Sequence, residues 1–319
     1  MDSRGELKVF AGSSNAELAG RICDNIRISL GKITIHKFSD GEFFVEIGEN
    51  VRGRDVFVVQ SLCNPVNDNF MELLIMMDAL KRASAGRITA TIPYYGYARQ
   101  DRKNAPRVPI SAKLVADLLH AAGAQRVLTM DLHAGQIQGF FNVPVDNLFA
   151  SQIFLPFIRE EFMGKEIVVV SPDAGGMLRA RAYGKILRSP IAMVDKRRPR
   201  PNEAEVMNVI GNVEGLVSLI LDDISDTSGT LSQTASALKD RGATEIYAFC
   251  THPVLSGPAV QRITDSCIEK LYVSDTIPLS DSARQCPKIE VISVAQVFAR
   301  AIINTHQDDS ISSLFAIQY

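Results

Sequence analysis

Residues 216–230 read LVSLILDDISDTSGT and contain the change of pattern that decides the fold. The apolar run Leu216–Leu221 predicts a buried strand, and a helical pattern follows from about Leu231. A buried strand that leads through a short polar turn into a helix is typical of a parallel sheet covered by helices. Ligands of such sheets bind beyond the carboxyl ends of the strands, so residues 222–230 are a candidate binding segment.

The residue types in this segment suit a sugar phosphate. Four residues offer hydroxyl groups, backbone N–H groups and the positive end of a helix dipole to a phosphate: Thr227, Ser228, Gly229 and Thr230. Carboxylates would repel a phosphate, so we expect three acidic residues to accept hydrogen bonds from sugar hydroxyls instead: Asp222, Asp223 and Asp226. On the residues alone, a capped helix after an acidic turn is the alternative.

Buried strands and amphipathic helices alternate along the rest of the chain. Six further segments are predicted to be buried strands: Leu7–Ala11, Val56–Gln60, Arg87–Ile92, Arg126–Met130, Ile167–Ser171 and Glu245–Cys250. Apolar residues at helical spacing predict two buried helix faces: Phe70, Leu73, Leu74, Met77, Leu80 and Ala83 in one helix, and Leu114, Val115, Leu118 and Leu119 after a Ser111 N-cap in the other. The pattern predicts an α/β protein with mainly parallel sheets flanked by helices.

An internal repeat indicates two similar domains. ALKRASAGRITATIPY (79–94) resembles ALKDRGATEIYAFCTHP (237–253), at an offset of about 158 residues. General α/β patterning could produce one such pair, but the offset also equals the spacing of two like domains in a chain of 319 residues. We therefore predict a tandem duplication with domains at 1–148 and 149–319, the last helix packing back on the N-terminal domain.

Composition excludes several classes of protein. A net charge of −2 argues against a protein that coats nucleic acid or anionic lipid. Five cysteines without a CxxC pair favour reduced thiols and a cytoplasmic location over a disulfide framework or a zinc site. The longest apolar runs are far shorter than a membrane span.

A family resemblance becomes visible at residues 221–230. LDDISDTSGT is similar to the 5-phosphoribosyl loop shared by type I phosphoribosyltransferases and ribose-phosphate pyrophosphokinases. Further segments resemble the class I, bacterial-type ribose-phosphate pyrophosphokinases as a set: FSDGE (38–42), PYYGYARQDRK (93–103), TMDLHAGQIQGFF (129–141), SPDAGG (171–176) and VDKRRPR (194–200). The resemblance implies two tandem phosphoribosyltransferase-like domains. It also implies transfer of the β,γ-diphosphoryl group of Mg-ATP to the C1 hydroxyl of ribose 5-phosphate, for nucleotide, histidine and tryptophan biosynthesis.

The resemblance also implies roles for individual residues. The adenine pocket and flap would bind ATP through Phe38, Asp40, Gly41, Glu42, Arg99 and Gln100, with the pocket reached from a neighbouring subunit. Magnesium would be held by His133 and Asp173. Catalysis would depend on Lys196, Arg198 and Arg99, and ribose 5-phosphate would bind to Arg198 and to the acidic and hydroxyl residues of 222–230.

Taken without the resemblance, these segments have plainer interpretations. FSDGE could be a turn before a strand, and residues 93–109 could be a solvated surface loop, although their length favours a mobile functional loop. VDKRRPR could be a basic surface loop or a nuclear-import patch. His133 and Asp173 each follow a predicted strand end, where a ligand crevice is expected.

Assembly and regulation follow from the resemblance alone. It implies a homo-hexamer, activation by inorganic phosphate and inhibition by ADP at a subunit interface. Four residues match the family's regulatory anion positions: Arg52, Ser84, Ser310 and Ser312. Two alternatives to a ribose-phosphate pyrophosphokinase are a phosphoribosyltransferase, which needs no ATP pocket, and a non-catalytic regulatory homologue, which would have lost active residues.

Overall fold

The computed structural model describes residues 5–197 and 206–315, which fold into two compact units. The first unit comprises Met1–Phe149 with two later segments, Thr276–Pro278 and Val294–Phe315, and the second comprises Ala150–Asp275 and Leu279–Ser293. Each unit has a mainly parallel sheet flanked by helices, which confirms the predicted fold class.

The first unit is built on a five-stranded parallel sheet. The strands of this unit, inside and outside the sheet, are β1 (Leu7–Ala11), β2 (Ile33–Lys37), β3 (Phe43–Ile47), β4 (Asp55–Val59), β5 (Arg87–Ile92), β6 (Arg126–Met130) and β7 (Val145–Leu148). The helices that precede residue 149 are α1 (Ala16–Ile26), α2 (Val66–Arg82) and α3 (Ser111–Ala122). The sheet order is β1-β4-β5-β6-β7, whereas β2 and β3 form a separate antiparallel hairpin.

The second unit has a seven-stranded sheet of order β10-β9-β8-β11-β12-β13-β14. Its strands are β8 (Ile167–Ser171), β9 (Ile191–Arg197), β10 (Val206–Ile210), β11 (Val217–Ser225), β12 (Glu245–Pro253), β13 (Lys270–Ser274) and β14 (Ile289–Ile292). Its helices are α4 (Ser151–Glu161), α5 (Met177–Leu187), α6 (Gly229–Asp240), α7 (Ala259–Asp265) and α8 (Asp281–Gln285). Only the β9–β10 pair is antiparallel.

The two units repeat one topology. The order β1-β4-β5-β6-β7 corresponds to β8-β11-β12-β13-β14, and each unit inserts an antiparallel pair of strands after the helix that follows its first strand. The two segments of the internal repeat occupy equivalent places, the end of α2 running into β5 and the end of α6 running into β12.

Burial explains the central strands. All five residues of β4 are buried, as are Val168 to Ser171 of β8, because helices cover both faces of a parallel sheet. Leu73 and Leu80 of α2 are fully buried against the first sheet. Among the described residues, no helix is long and apolar enough to cross a membrane.

The last helix, α9 (Ala295–Gln307), belongs to the first unit and packs against α1. A buried carboxylate fixes its end. Asp55 accepts hydrogen bonds from Arg87 and lies 2.8 Å from Nδ1 of His306, while Arg87 also donates to the Thr305 carbonyl at 3.0 Å. The charged network therefore ties the end of α9 to the amino ends of β4 and β5.

Two predictions about α3 are wrong. The helix begins at Ser111, so Ile110 is its N-cap, and the Ser111 hydroxyl donates instead to the side chain of Gln100. Leu114 and Leu118 are 59% and 38% exposed, while Val115 and Leu119 are buried. The apolar stripe is wider than the face that this helix buries.

Candidate active site

The acidic pair Asp222–Asp223 lies within a strand rather than in the turn after it. Strand β11 continues to Ser225, past the predicted end at Leu221, because Asp222 and Ile224 still pair with β12. The backbone N–H of Asp223 donates to Oδ1 of Asp222 at 2.9 Å. The two side chains are only one-fifth and one-tenth exposed, so they form a largely desolvated carboxylate pair at the carboxyl end of the sheet.

A single cation of helix α5 lies between these carboxylates. Nη2 of Arg179 is 3.3 Å from Asp223 Oδ1, and Nη1 is 3.9 Å from Asp222 Oδ1. Burial, reinforced by the neighbouring Asp223, raises the pKa of Asp222 to about 8, and the guanidinium of Arg179 opposes that rise. The site therefore depends on a balance between desolvation and one positive charge.

The hydroxyl-rich turn after β11 forms the start of helix α6. Ser228 has a positive φ of 55° and precedes the first helical residue, Gly229. Its hydroxyl lies 2.9 Å from that of Ser225, and its carbonyl accepts from Ser232 N at 3.0 Å. The N–H groups of the first helical turn have no intrahelical acceptor, so they can point at an anion together with the helix dipole.

Two elements outside the turn support it. Nη1 of Arg262, on α7, donates to the Thr227 carbonyl at 2.9 Å. A Cβ atom on Gly229 would lie 3.3 Å from this Nη1. After β12, the N–H groups of Leu255 and Ser256 donate to the carbonyls of Ser225 and Asp226, each at 2.9 Å, and the Ser256 hydroxyl donates to Asp226 Oδ1. The turn is therefore held from the side of α7 as well as from β12.

Asp173 lies in the turn between β8 and α5. Its Oδ1 accepts from the N–H of Gly176, the N-cap residue of α5, at 2.9 Å, and its carbonyl accepts from the Ser171 hydroxyl at 2.7 Å. A Cβ on Gly176 would lie 2.6 Å from Ser171 Oγ, which explains the glycine. The exposed Asp173 carboxylate follows β8, and the acidic pair lies near the carboxyl end of the adjacent strand β11.

Two predicted cationic residues lie at the edge of what the structure describes. The backbone of Lys196 belongs to β9 and is paired with Met207 of β10. Arg198 falls in residues 198–205, outside the described part of the chain, as does Arg200. Since β9 neighbours β8, the chain position of Lys196 is at the carboxyl end of a strand next to the one that leads to Asp173.

His133 belongs to the first unit and follows β6. Asp131 before it is buried, has a φ of 39° and donates its N–H to the Leu148 carbonyl, while the N–H of Leu132 donates to Asn147. These bonds hold the backbone, and the His133 side chain is exposed. Among the described residues, no group of three or more His, Cys, Asp or Glu side chains is arranged to hold a metal ion.

The FSDGE segment forms the tip of the β2–β3 hairpin. The N–H of Phe38 donates to the Glu42 carbonyl at 2.8 Å, that of Gly41 donates back to Phe38, and that of Glu42 donates to Asp40 Oδ1. Gly41 adopts a φ of 97°, which the tight tip requires. Phe38 is 49% exposed and meets the ring of His36 edge-on at 5.1 Å, so an aromatic face is presented to solvent beside two exposed carboxylates.

Only part of the segment 93–109, which the sequence predicts to be a mobile loop, is exposed to solvent. Tyr94, Tyr95 and Ala98 are buried, and the Tyr95 hydroxyl donates to the Ala112 carbonyl at 2.9 Å. Exposure begins at Arg99, and Gln100 is held through its side chain by Ser111 and through its carbonyl by the N–H of Ala112. The segment that can reach a ligand is therefore shorter than the sequence predicted, and starts at Arg99.

The regulatory positions fall into two local groups of the first unit. Arg52 forms an isolated bridge with Ala85, and the carbonyl of Ser84 accepts from the Gly53 N–H at 2.9 Å. Ser310 and Ser312 share a hydroxyl–hydroxyl hydrogen bond of 2.9 Å after the end of α9. Arg52 is therefore adjacent to the Ser84 backbone, and the two later serines are adjacent to each other.

Sequence reasoning missed three polar residues that support the predicted ones: Arg179, Arg262 and Ser256. None lies in a recognisable motif. Arg179 is the third residue of α5, and only the parallel pairing of β8 with β11 brings the start of that helix to the acidic pair. In retrospect, the acidic pair itself was a signal that a nearby cation was needed.

Comparison with known proteins gives one consistent answer. Residues 7–123 match the family described as the N-terminal domain of ribose phosphate pyrophosphokinase, and residues 196–316 match the phosphoribosyl synthetase-associated domain. The chain is 56% identical over 310 residues to a ribose-phosphate pyrophosphokinase of Bordetella pertussis, covering 97% of this chain and 99% of the relative. A ribose-phosphate pyrophosphokinase of Caldanaerobacter subterraneus is 55% identical, with 97% and 98% covered. Among solved structures, phosphoribosylpyrophosphate synthetase from Mycobacterium smegmatis superposes with a TM-score of 0.91 at 40% identity, covering 95% of this chain and 99% of that one.

Proposed function

Because the chain belongs to the ribose-phosphate pyrophosphokinase family, we propose that it transfers the β,γ-diphosphoryl group of ATP to the C1 hydroxyl of ribose 5-phosphate. The products are 5-phosphoribosyl 1-diphosphate and AMP. The C1 oxygen attacks the β-phosphorus in line, the bond between the α,β-bridging oxygen and the β-phosphorus breaks, and the proton of the C1 hydroxyl is released.

The observation that carries this proposal is the arrangement at the carboxyl end of β11. A desolvated carboxylate pair, which can accept from sugar hydroxyls, is followed by a glycine-containing helix start, which can hold a phosphate. These two features are consecutive along the chain, from Asp223 to Thr227, so one sugar phosphate can contact both. A phosphate alone would need no carboxylates beside it.

We assign ATP to the first unit's exposed groups. Phe38 offers a ring face for adenine, while Asp40 and Glu42 can accept from the base or its ribose, with Gly41 allowing the turn. Arg99 and Gln100 begin the exposed part of the 93–109 segment and are assigned to the phosphates. The family resemblance supports a pocket completed by a neighbouring subunit.

Magnesium fits the residues proposed for it. Magnesium keeps most of its waters and takes few protein ligands, so it does not require a cluster of three side chains. Asp173 supplies an exposed carboxylate, the ligand type that this ion prefers, and His133 supplies an exposed imidazole that is suited to a water-mediated contact. When bound, the ion would neutralise charge on the diphosphate.

Positive charge should supply most of the rate. Phosphoryl-type transfer depends mainly on positioning and on electrostatic stabilisation of the transferring group. We assign Lys196 and Arg99 to the stabilisation of negative charge on the transferring group. Arg198 is assigned both to catalysis and to the binding of ribose 5-phosphate. We also assign inorganic phosphate, as an activator, to Arg52, Ser84, Ser310 and Ser312, within a homo-oligomer that is expected to be a hexamer.

One assay tests the activity. Purified protein is incubated with ATP, magnesium and ribose 5-phosphate, and AMP and ADP are separated by chromatography over time. We expect AMP to form only when the sugar phosphate is present. Formation of ADP, or of AMP without the sugar, would contradict the proposal, and consumption of 5-phosphoribosyl 1-diphosphate with a nucleobase would favour a phosphoribosyltransferase.

A further inference from the structure

Arg179 lies within ion-pair distance of both carboxylates that the proposed function assigns to the sugar. Its guanidinium projects from the first turn of α5, with one terminal nitrogen 3.3 Å from Asp223 and the other 3.9 Å from Asp222. Its side chain is only 13% exposed. A planar group with two terminal nitrogens can orient two neighbouring carboxylates at once, whereas an ammonium group is a single point of charge.

The acidic pair needs such a partner. Two adjacent carboxylates with little solvent repel one another, and each loses hydration energy in its ionised form. The guanidinium of Arg179 offsets part of this repulsion at both carboxylates.

The first unit provides an internal comparison. Phe10 and Val170 are each the fourth residue of the first sheet strand of their unit, and they pair with Val58 and Ile220. Val58 and Ile220 are therefore equivalent positions. Two residues further along the same strand direction, Gln60 is equivalent to Asp222. The equivalents of Asp222 and Asp223 are therefore Gln60 and Ser61, which carry no charge.

The arginine changes together with the acidic pair. Arg179 is the third residue of α5, and the third residue of α1 is the buried Leu18. Of the side chains that replace the acidic pair, Gln60 donates to the Asn69 carbonyl and to the buried Glu72 carboxylate, and Ser61 donates to the Thr276 carbonyl. The third residue of the helix is therefore a cation in the unit whose strand carries the acidic pair, and apolar in the unit whose strand does not.

We propose that Arg179 is a positioning residue for ribose 5-phosphate, which holds the carboxyl groups of Asp222 and Asp223 in the orientation that accepts the sugar hydroxyls. The inference rests on the proposed function for the identity of the sugar phosphate. Arg179 acts through the two carboxylates and need not touch the substrate. It therefore affects the binding of the sugar phosphate and leaves the binding of ATP unchanged.

The test compares Arg179→Met, Arg179→Lys and the matched control Arg181→Met, an exposed arginine of the same helix. Calorimetry measures binding of ribose 5-phosphate alone, and initial rates give KM for ribose 5-phosphate, KM for ATP and kcat. We expect Arg179→Met to weaken sugar-phosphate binding about tenfold or more, the range for a hydrogen bond to a charged group. KM for ATP should stay within about twofold, as should every parameter of Arg181→Met.

Arg179→Lys keeps the charge but cannot span both carboxylates, so its sugar-phosphate affinity should lie between those of the wild type and Arg179→Met. The inference is overturned if Arg179→Met lowers thermal stability while its affinity for ribose 5-phosphate is unchanged. Should that variant not fold, Arg179→Lys decides: affinity equal to the wild type overturns the inference. A wild-type protein that binds the sugar phosphate but forms no AMP would refute the proposed reaction and leave the binding comparison valid, whereas no binding at all would refute both.

Discussion

Nη1 of Arg262 donates a hydrogen bond of 2.9 Å to the carbonyl oxygen of Thr227, so helix α7 supports the turn in which we place the 5-phosphate. Arg262→Met removes this bond, which is worth about 0.5–1.5 kcal/mol. We expect KM for ribose 5-phosphate to rise about three- to tenfold with little change in KM for ATP. Steady-state kinetics with the exposed Arg241→Met as control would check this, and equal effects on both KM values would contradict it.

Lys196→Ala should be a severe catalytic lesion. A cation that neutralises the transferring group is typically worth about 10³–10⁵ in rate. We expect kcat to fall by at least about a thousandfold while KM for ATP changes modestly. Single-turnover rates and kcat of Lys196→Ala should be compared with those of the control Lys185→Ala, a change on helix α5. An unchanged kcat in Lys196→Ala would show that Lys196 has no catalytic role.

The Asp222 carboxyl should make stability depend on pH. Its pKa rises from 3.8 to about 8 on folding, chiefly through burial, so the folded state binds a proton that the unfolded state releases. This contribution to stability is complete below the unfolded pKa and is lost as the pH rises through about 8. Asp222→Asn is neutral at every pH, so its melting temperature relative to wild type should increase between pH 6 and pH 9.

Thermal unfolding at both pH values measures this difference. The exposed Asp240→Asn, on helix α6, is the matched control and should show no such trend. A melting-temperature difference for Asp222→Asn that stays constant from pH 6 to pH 9 would mean that the carboxyl is not desolvated as described.

The network around Asp55 should anchor helix α9. Asp55 is 1% exposed, and Arg87→Met takes away its guanidinium partner while the His306 contact stays, a break in a buried ion pair that typically costs about 3–5 kcal/mol. Arg87→Met should also remove the Arg87 hydrogen bond to the Thr305 carbonyl and speed hydrogen exchange in 302–307. Arg82→Met, which breaks only an exposed pair with Asp78, should do neither. Unchanged exchange in Arg87→Met would show that α9 is held by its apolar contacts alone.

Inorganic phosphate should raise the initial rate if the regulatory assignment is correct. Arg52→Ala should flatten the response, because Arg52 supplies the positive charge in the assigned set. The measurement is the initial rate against phosphate concentration at fixed ATP and ribose 5-phosphate. If the initial rate of the wild type does not depend on phosphate, or if Arg52→Ala responds to phosphate as the wild type does, these residues do not form a regulatory phosphate site.

The buried strands were predictable because each is an apolar run between polar turns. Four observed strands match their predicted limits: Leu7–Ala11, Arg87–Ile92, Arg126–Met130 and Ile167–Ser171. The β2–β3 hairpin was missed since its strands alternate half-buried and exposed residues and contain no apolar run as long as those of the buried strands. The length of β11 was underestimated because acidic residues rarely continue a buried strand, and here the pairing with β12 outweighs that preference.

Residue types predict a sugar phosphate at this site, but they do not predict the groups that support it. Hydroxyl groups and a glycine before a helix suit a phosphate, with a capped helix as the alternative. Arg179, Arg262 and Ser256 lie 26 or more residues along the chain from residues 222–230, and only the folding of the sheet brings them to it. The burial of Tyr94 and Tyr95 was likewise hidden, because tyrosine suits a surface loop as readily as a partly polar core.

The most direct test follows the diphosphate itself by ³¹P NMR during incubation of the protein with ATP, magnesium and ribose 5-phosphate. AMP and a diphosphate ester on C1 of the sugar should appear in equal amounts at equal rates. They should be absent when the sugar phosphate is omitted. Accumulation of ADP, or of free diphosphate without the sugar ester, would contradict transfer from ATP to a pentose phosphate held by the acidic pair and the turn after β11.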